Sequence, residues 1–363
     1  MEPIQLLTPE GELRDDADIS LKITPELCRG FYREMHLGRR LDAEAFALQR
    51  QGELGLWCMS LGQEAAQVGS ITAIDGNDYV FPSYREQVAA LCRGITPGEL
   101  LAQWRGVVLS GWNPTAYRFH VYTLVLGAQL LHATGYAMGV QRDGAAEIVL
   151  VYFGDGAASQ GDANEAFNWA ATVGAPVLFF CQNNQWAIST PVDRQRAAPL
   201  HQRARGFGME SRLVDGNDVL AVHAVTKAAA DAVRDGTGPQ LIEAVTYRMG
   251  GHSTSDDPTR YRSDSELELW RARDPIDRLH RFLDRQGWLD QEFVTAVAEE
   301  SDALAAEARR ACLAMADPTA ADLFSRVFVN ETADLAEESR RYLSYLGSFQ
   351  DTDRDSQRPA ATG

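Results

Sequence analysis

The feature that most constrains the fold is a series of short apolar segments alternating with helical patterns in the middle of the chain. Four segments rich in β-branched and aromatic residues have the continuous apolar character of strands buried on both faces. They lie at 147–154, 176–184, 211–216 and 239–249, with helical patterns at 161–173 and 218–235. This order predicts an α/β fold, a doubly wound parallel sheet flanked by helices, in which ligands bind at the carboxyl ends of the strands.

Mostly helical segments precede this region, and a polar loop and further helices follow it. The helical patterns before it lie at 24–51, 62–74, 84–93, 97–105 and 124–140. A polar loop at 250–265 leads to helical patterns at about 274–286 and 290–316, and to a polar tail that we expect to be disordered. We therefore predict an N-terminal extension over 1–23, a main domain over 24–330 and a C-terminal segment over 331–363.

The charge balance argues against polyanionic partners. With 51 acidic and 34 basic side chains, the net charge of −17 would repel nucleic acid and anionic membranes. No apolar run approaches the length of a membrane span. The five cysteines are widely spaced without a C-x-x-C pair, and the acidic N-terminus resembles neither a signal nor a transit peptide. We expect a cytoplasmic protein with no nucleic-acid and no membrane partner.

A glycine-rich turn, Gly-Asp-Gly-Ala-Ala-Ser, follows the strand at 147–154 directly. Such a turn lets backbone amides face a phosphate, but Asp155 would repel a diphosphate unless it holds a magnesium ion. A second oxygen ligand is then expected on the neighbouring strand's loop, where Asn184 ends the sequence PVLFFCQNN. Gly-Asp-Gly alone is more often an ordinary tight turn, whereas the strand context and the Asn-Asn pair make the pattern specific.

Gly-Asp-Gly followed by Asn-Asn is the pattern of thiamine-diphosphate enzymes, and over about residues 25–330 the chain resembles one family of them. This is the alpha subunit of the branched-chain 2-oxo acid dehydrogenase, a relative of the pyruvate dehydrogenase alpha subunit. The resemblance is carried by QRQGELGLWCMSLGQEAAQVGS, DYVFPSYREQ, YFGDGAASQGDANEAFNWAATVGAPVLFFCQNNQWAISTP, RLVDGNDVLAVHAVTKAA and LIEAVTYRMGGHSTSDDPTRYRS. It implies a thiamine-diphosphate-binding fold and oxidative decarboxylation of a branched-chain 2-oxo acid, with acyl transfer to a lipoyl group.

The resemblance also implies the residues of the cofactor site. Magnesium would be held by Asp155, the Asn184 side chain and the backbone carbonyl of Trp186. The residues expected to contact the rest of thiamine diphosphate are Tyr84, Arg85, Leu124, Leu126, Gly154, Gly156 and Ala157. A guanidinium suits diphosphate oxygens because it donates two parallel hydrogen bonds. For a single leucine at helical spacing, core packing is the more common role.

His252 matches the family's active-site histidine, and the resemblance implies that it contacts the cofactor. Since histidine titrates near neutrality, it can stabilise a developing anion or move a proton. Ser253 and Ser263 match serines that a kinase phosphorylates in animal homologues, although nothing in the sequence indicates a kinase. Asp256 and Asp257 are expected to help order this loop.

Three positions depart from the family's pattern. Gln182 stands where an arginine often contacts the diphosphate, and Gly251 replaces a second histidine. The segment that usually ends in Met-Pro-x-His is shortened to SGWNPTAYRFHVYT over 110–123. His120 is a candidate replacement for its histidine, and a structural histidine at a helix end is an equal alternative.

The chain has one diphosphate-binding domain and no room for a second α/β domain of similar size. The resemblance implies that a beta subunit supplies the acid beside the cofactor's pyrimidine ring, in a tetramer of two alpha and two beta chains. A lipoyl acyltransferase core would accept the acyl group. Two alternatives remain open: a pyruvate or acetoin dehydrogenase alpha subunit, and a non-catalytic homologue that only binds a partner.

Overall fold

The computed structural model describes residues 2–14, 19, 21–325 and 327–349. This part of the chain divides into two compact units, with the boundary after Ala314. Within the described residues, the strands are β1 (Tyr79–Phe81), β2 (Val149–Gly154), β3 (Val177–Asn183), β4 (Trp186–Ala187), β5 (Thr190–Pro191), β6 (Glu210–Asp215) and β7 (Gln240–Val245). Five of them form a parallel sheet in the order β1-β2-β3-β7-β6, and β4 and β5 form a separate antiparallel hairpin.

Helices account for most of the remaining structure. Those of the first unit are α1 (Pro25–Arg50), α2 (Glu64–Ile71), α3 (Gln87–Cys92), α4 (Pro97–Arg105), α5 (Pro114–Tyr117), α6 (Ala128–Asp143), α7 (Gly161–Val173), α8 (Val192–Gln195), α9 (Leu200–Gly206), α10 (Val219–Arg234), α11 (Asp264–Arg271), α12 (Pro275–Arg285) and α13 (Gln291–Ala314). The second unit contains α14 (Ala333–Gly347) and a short 3-10 turn, Ala320–Leu323. No helix in the described residues is long and apolar enough to cross a membrane.

The sheet is covered on both faces, as its continuous apolar strands predict. Val149, Val151 and Phe153 of β2 belong to a core cluster that includes residues of α6 and α7. The alternate residue Tyr152 belongs to the opposite face, where its hydroxyl lies 2.7 Å from Ser70 Oγ of α2. The prediction of a doubly wound parallel sheet with helical extensions is therefore confirmed.

Several local predictions were wrong in detail. The helix expected to start at Leu124 begins at Ala128, because Gly127 adopts a left-handed conformation (φ 90°) at its N-cap. The last sheet strand, β7, ends at Val245 rather than at 249. The sequence analysis did not predict the short strands β1, β4 and β5 or the helices α5, α8, α9, α11 and α14. The polar tail expected to be disordered, at 350–363, lies outside the described residues.

Candidate active site

A cavity of about 140 Å³ opens at the carboxyl ends of β2 and β3, where the sheet order predicts a ligand site. The turn after β2, the β4–β5 hairpin and the loop after β7 all contribute to its wall. Its lining residues are Gln63, Ser83, Tyr84, Arg85, Glu86, Leu126, Gln129, Gly154, Asp155, Gly156, Ala157, Gln182, Asn184, Trp186, Ala187, Ile188 and His252.

Three oxygen atoms from two neighbouring loops meet at this cavity. When the Asn184 side-chain nitrogen donates to Gln63 Oε1 (3.1 Å), Asn184 Oδ1 lies 3.1 Å from the Trp186 carbonyl oxygen and 3.3 Å from Asp155 Oδ1. Its one hydrogen bond there, from the Trp186 backbone N–H, is long at 3.3 Å. Octahedral magnesium, with ligands at about 2.0–2.1 Å, separates adjacent ligand oxygens by about 3 Å. The three oxygens therefore fit a hard divalent cation.

The Asn184 amide has a second possible orientation. After a half-turn, its nitrogen would donate to the Trp186 carbonyl oxygen and to Asp155 Oδ1. Among the described residues, no group of three or more His, Cys, Asp or Glu side chains could hold a metal ion. A cation at this site would thus depend on one carboxylate, one amide oxygen and one backbone carbonyl, which is a set of hard oxygen ligands.

An unusual backbone conformation brings Trp186 close to the turn after β2. Gln185 and Ile188 have positive φ angles of 73° and 54°, which are uncommon for residues other than glycine. Strand β4 lies between them, and the chain then reverses to pair with β5. Ala187 of β4 packs on Gly156, where a Cβ atom would lie 2.8 Å from Ala187 Cβ. Glycine at 156 is therefore required by close approach rather than by its φ angle.

Arg85 is a buried cation in the cavity wall. It is 5% exposed, donates from Nη1 to the Met59 carbonyl (2.6 Å) and from Nη2 to the His252 carbonyl (2.9 Å). Its guanidinium also lies over the ring of Tyr84, 5.4 Å from the centroid. No carboxylate of the described residues lies within ion-pair distance of it, so its charge is available to an anionic ligand.

The surroundings of the cavity favour a neutral imidazole at His252 and a less acidic carboxyl at Asp155. Burial, together with the nearby Arg85 and Arg248, lowers the pKa of His252 to about 4. Burial also raises the pKa of Asp155, against the opposing hydrogen bond from Gln195. His252 is therefore uncharged at neutral pH, with one ring N–H that can donate a hydrogen bond and one ring nitrogen that can accept one.

The loop after β7 is held in place by its own side chains. Asp256 Oδ2 accepts from the His252 backbone N–H (2.6 Å) and from the Tyr261 hydroxyl. Arg248 Nη2 donates to the same hydroxyl (2.6 Å), which connects the loop to the buried end of the sheet. As predicted, Asp256 helps to order this segment. Ser253 is buried, whereas the Ser263 side chain caps α11.

Comparison with known proteins agrees with this geometry. The family model of the dehydrogenase E1 component matches residues 32–320. The chain is 43% identical over 336 residues to the 3-methyl-2-oxobutanoate dehydrogenase subunit alpha of Mycobacterium tuberculosis, covering 92% of each chain. It is 37% identical to the mitochondrial 2-oxoisovalerate dehydrogenase subunit alpha of Mus musculus, covering 88% of this chain and 75% of the mouse protein.

The chain belongs to the dehydrogenase E1 component family. A further relative of this E1 chain is the pyruvate dehydrogenase E1 component subunit alpha of Bacillus cereus, 36% identical over 302 residues. That match covers 83% of this chain and 81% of the relative. Membership of the family implies thiamine diphosphate as cofactor, and similarity to alpha subunits implies that the chain works with partner chains.

The E1 chain brings most of the predicted site residues to one cavity. Those that line it are Tyr84, Arg85, Leu126, Gly154, Asp155, Gly156, Ala157, Asn184, Trp186 and His252. Leu124 does not line it, and its side chain is 56% exposed. Gln182, at the position of the missing arginine, is buried in the wall and donates to Glu86 Oε1. The roles of these residues stay predictions.

His120 lies outside the cavity of this E1 chain. Its ring packs against Phe81, with centroids 4.6 Å apart, and its Nδ1 is 3.4 Å from the Tyr79 hydroxyl. Its backbone N–H donates to the Val80 carbonyl, which fixes the segment beside β1. These contacts favour the structural alternative over a replacement for the family's histidine.

Sequence analysis missed several polar residues of the cavity and its surroundings. Gln63 and Gln129 line the cavity, and Gln195 contacts Asp155 from outside the lining set. Gln63 stands in LGQEAA, one of the stretches that resemble the family. For Gln195 there was no sequence signal, because only the reversal of the β4–β5 hairpin brings it back to the end of β2.

Proposed function

We propose that the chain is the alpha subunit of a branched-chain 2-oxo acid dehydrogenase, which oxidatively decarboxylates 3-methyl-2-oxobutanoate and passes the acyl group to a lipoyl group. The main support is the meeting of Asp155, Asn184 and Trp186 oxygens in a cavity that also holds the buried Arg85. The relatives from Mycobacterium tuberculosis and Mus musculus carry names of this activity, and the chain aligns with them over most of its length.

Magnesium and thiamine diphosphate are the proposed cofactors. The oxygens of Asp155, Asn184 and Trp186 would hold the metal. Tyr84, Arg85 and the backbone of Gly154, Gly156 and Ala157 would contact the diphosphate, and Leu126 the body of the cofactor. When bound, thiamine diphosphate supplies the nucleophilic carbon for the 2-oxo group and accepts the electrons released as carbon dioxide leaves.

The charges of the site suit a diphosphate despite the acidity of the whole chain. Arg85 places a cation in a buried wall, where its field is less screened than at the surface. Asp155 would repel the diphosphate if it stood alone, and a divalent cation between them turns this repulsion into two attractive contacts. The net charge of −17 thus makes the local cations necessary for binding.

His252 is proposed as the catalytic residue of this chain. Its backbone is fixed by Asp256 and its carbonyl by Arg85, so the imidazole has a defined position at the cavity wall. A neutral imidazole can donate a hydrogen bond from its ring N–H to the carbonyl oxygen of the 2-oxo acid as negative charge develops there. This role and its contact with the cofactor both follow from the family resemblance.

A beta subunit is the proposed partner, in a tetramer of two alpha and two beta chains, with a lipoyl acyltransferase core as the next component. Four apolar side chains at or beside the cavity are exposed in the single chain: Leu124, Val125, Leu126 and Ile188. Clusters of exposed apolar residues beside a site are typical of protein interfaces. The beta chain would also supply the acid for the pyrimidine ring.

The proposed substrate is tested with a panel of 2-oxo acids on the complex assembled with its beta chain. We expect the highest kcat/KM for 3-methyl-2-oxobutanoate and lower values for pyruvate and for acetoin, a hydroxyketone that is assayed beside the acids. The relative in Bacillus cereus is a pyruvate dehydrogenase subunit, which makes pyruvate the second candidate. A preference for pyruvate would overturn the branched-chain assignment, and a complex that fails to bind thiamine diphosphate with magnesium would indicate a non-catalytic homologue.

A further inference from the structure

We propose that two glutamines, Gln63 and Gln195, are positioning residues that turn the oxygens of Asn184 and Asp155 towards the magnesium ion. This inference rests on the proposed function, because it assigns residues that support the metal site. Neither glutamine is a proposed ligand, and each contacts a different one. Metal ligands are commonly oriented by such outer contacts.

Gln195 acts on Asp155 through its nitrogen alone. The chain leaves β3, forms the β4–β5 hairpin and returns in α8, whose last residue is Gln195. Nε2 donates to Asp155 Oδ2 (2.7 Å) and to the Thr190 carbonyl (3.0 Å), whereas Oε1 is buried without a partner among the described residues. Both partners are acceptors, so the orientation of this amide is determined. Holding Oδ2 leaves Asp155 Oδ1 beside Asn184 Oδ1.

Gln63 acts on Asn184 through one amide contact, and when Asn184 presents Oδ1 to the metal this contact uses the Gln63 oxygen. It is fully buried at the start of α2, and its Oε1 accepts from Asn184 Nδ2 at 3.1 Å. Its Nε2 is buried and has no partner in the described part of the chain. An asparagine amide has nearly the same shape after a half-turn, so its orientation is set by its hydrogen-bond partners. An acceptor on the Nδ2 side therefore places Oδ1 on the side of Asp155 and Trp186.

In this arrangement Gln195 is a hydrogen-bond donor to Asp155, and Gln63 is a hydrogen-bond acceptor from Asn184. Glutamate keeps an acceptor oxygen but cannot donate when ionised. The substitution Gln63→Glu should therefore preserve the contact with Asn184, and Gln195→Glu should lose both of its contacts and set a carboxylate against Asp155. Methionine matches glutamine in length and removes both functions, so it should weaken the metal site at either position.

The experiment measures the affinity of Mn²⁺, as a spectroscopic substitute for magnesium, for the complex with its beta chain and saturating thiamine diphosphate. Paramagnetic resonance of free Mn²⁺ gives the dissociation constant. We expect Gln63→Met and Gln195→Met to weaken it by about 10–100-fold, the usual effect of losing an outer contact to a metal ligand. At saturating metal, kcat should recover further than at limiting metal, because the expected defect lies in metal affinity.

The glutamate variants distinguish three causes of a change in Mn²⁺ affinity: the orientation of the ligands, added charge and disrupted packing. Gln63→Glu should bind Mn²⁺ at least as tightly as the wild type, and Gln195→Glu should bind it more weakly. Added negative charge alone would tighten both, because both lie near the divalent cation. Disruption of packing alone would weaken both.

The matched control is Gln141→Met, which removes an amide that donates to the Val173 and Gly174 carbonyls far along α6.

Failure of this inference is distinct from failure of the proposed function. If the wild-type complex does not bind Mn²⁺ together with thiamine diphosphate, the proposed metal site is wrong. If the wild type binds and the two methionine variants bind equally well, the glutamines do not position its ligands. If Mn²⁺ affinity changed in the same direction and by the same amount in both glutamate variants, the inference would also be overturned, because charge or packing would explain the change.

Discussion

At the scale of single residues, Asp155 and Arg85 are buried groups of opposite charge in a cavity wall that also contains the buried Glu86. Asp155 is 1% exposed and Arg85 is 5% exposed, and they lie on different loops without an ion pair between them. Burying an uncompensated charge costs several kcal/mol, which a complementary ligand offsets. A divalent cation beside Asp155 and an anionic diphosphate beside Arg85 would each supply the missing partner.

Replacing Asp155 should remove the metal site while preserving its shape. We expect Asp155→Asn to weaken magnesium-dependent binding of thiamine diphosphate by more than the about 10–100-fold typical of outer contacts, because a direct carboxylate ligand is lost. Calorimetry on the assembled complex measures this. Asp162→Asn, at an exposed position of α7, is the control. Unchanged affinity in Asp155→Asn would mean that the metal binds elsewhere.

Replacing His252 should affect turnover more than cofactor affinity. Arg85 contacts the backbone carbonyl of His252, and Asp256 contacts its backbone N–H, so both bonds remain in His252→Ala. We expect cofactor affinity within a few-fold of wild type and turnover reduced about 10²–10⁴-fold, as for the loss of a proton-moving or charge-stabilising group. Cofactor titration and decarboxylation with an artificial electron acceptor measure the two quantities on the same variant.

The control for that variant is His132→Ala, on an exposed face of α6. Full activity of His252→Ala at saturating cofactor would show that His252 serves binding or loop order only.

At the scale of elements, hydrophobic periodicity in the sequence predicted the helices and strands whose apolar side chains pack in the core. Long helix α1 begins after Thr24, whose side chain accepts from Leu27 N–H, and β2 and β3 lie within two residues of their predicted bounds. The short α11 was missed because its segment is polar and follows a loop-like sequence, although Ser263 caps it. Likewise, the supporting glutamines were missed because neutral amides leave no charge pattern, and their role depends on distant chain reversals.

The contact between the β4–β5 hairpin and the turn after β2 can be tested with one methyl group. In Gly156→Ala the new Cβ would lie 2.8 Å from Ala187 Cβ, closer than such atoms pack. Since φ at Gly156 is −63°, alanine is conformationally allowed and the effect is steric. We expect the hairpin to move away with the Trp186 carbonyl, which weakens Mn²⁺ binding in the complex while the chain remains folded.

The control for this substitution is Gly161→Ala at the start of α7, where a Cβ would meet nothing within 4 Å. It should leave Mn²⁺ affinity unchanged. Wild-type affinity in Gly156→Ala would show that the hairpin tolerates the displacement and does not determine the site.

At the scale of the whole molecule, the described residues of the first unit form a parallel sheet with the proposed cofactor cavity at the carboxyl ends of its strands. Membership of the E1 family and the names of the relatives agree that such a chain is a subunit. Exposed Leu124, Val125 and Ile188 beside the cavity fit a surface that a beta chain covers. The chain would then provide the metal and diphosphate half of the site, and the beta chain the half that activates the cofactor's ring.

Mixing the separately purified alpha and beta chains tests this division of the site. Decarboxylation of 3-methyl-2-oxobutanoate is followed with an artificial electron acceptor, in the presence of thiamine diphosphate and magnesium, for each chain alone and for the mixture. We expect no turnover by either chain alone and turnover by the mixture that disappears when magnesium is chelated. Substantial turnover by this chain without its beta partner would contradict the proposal that its active site is completed by a second subunit.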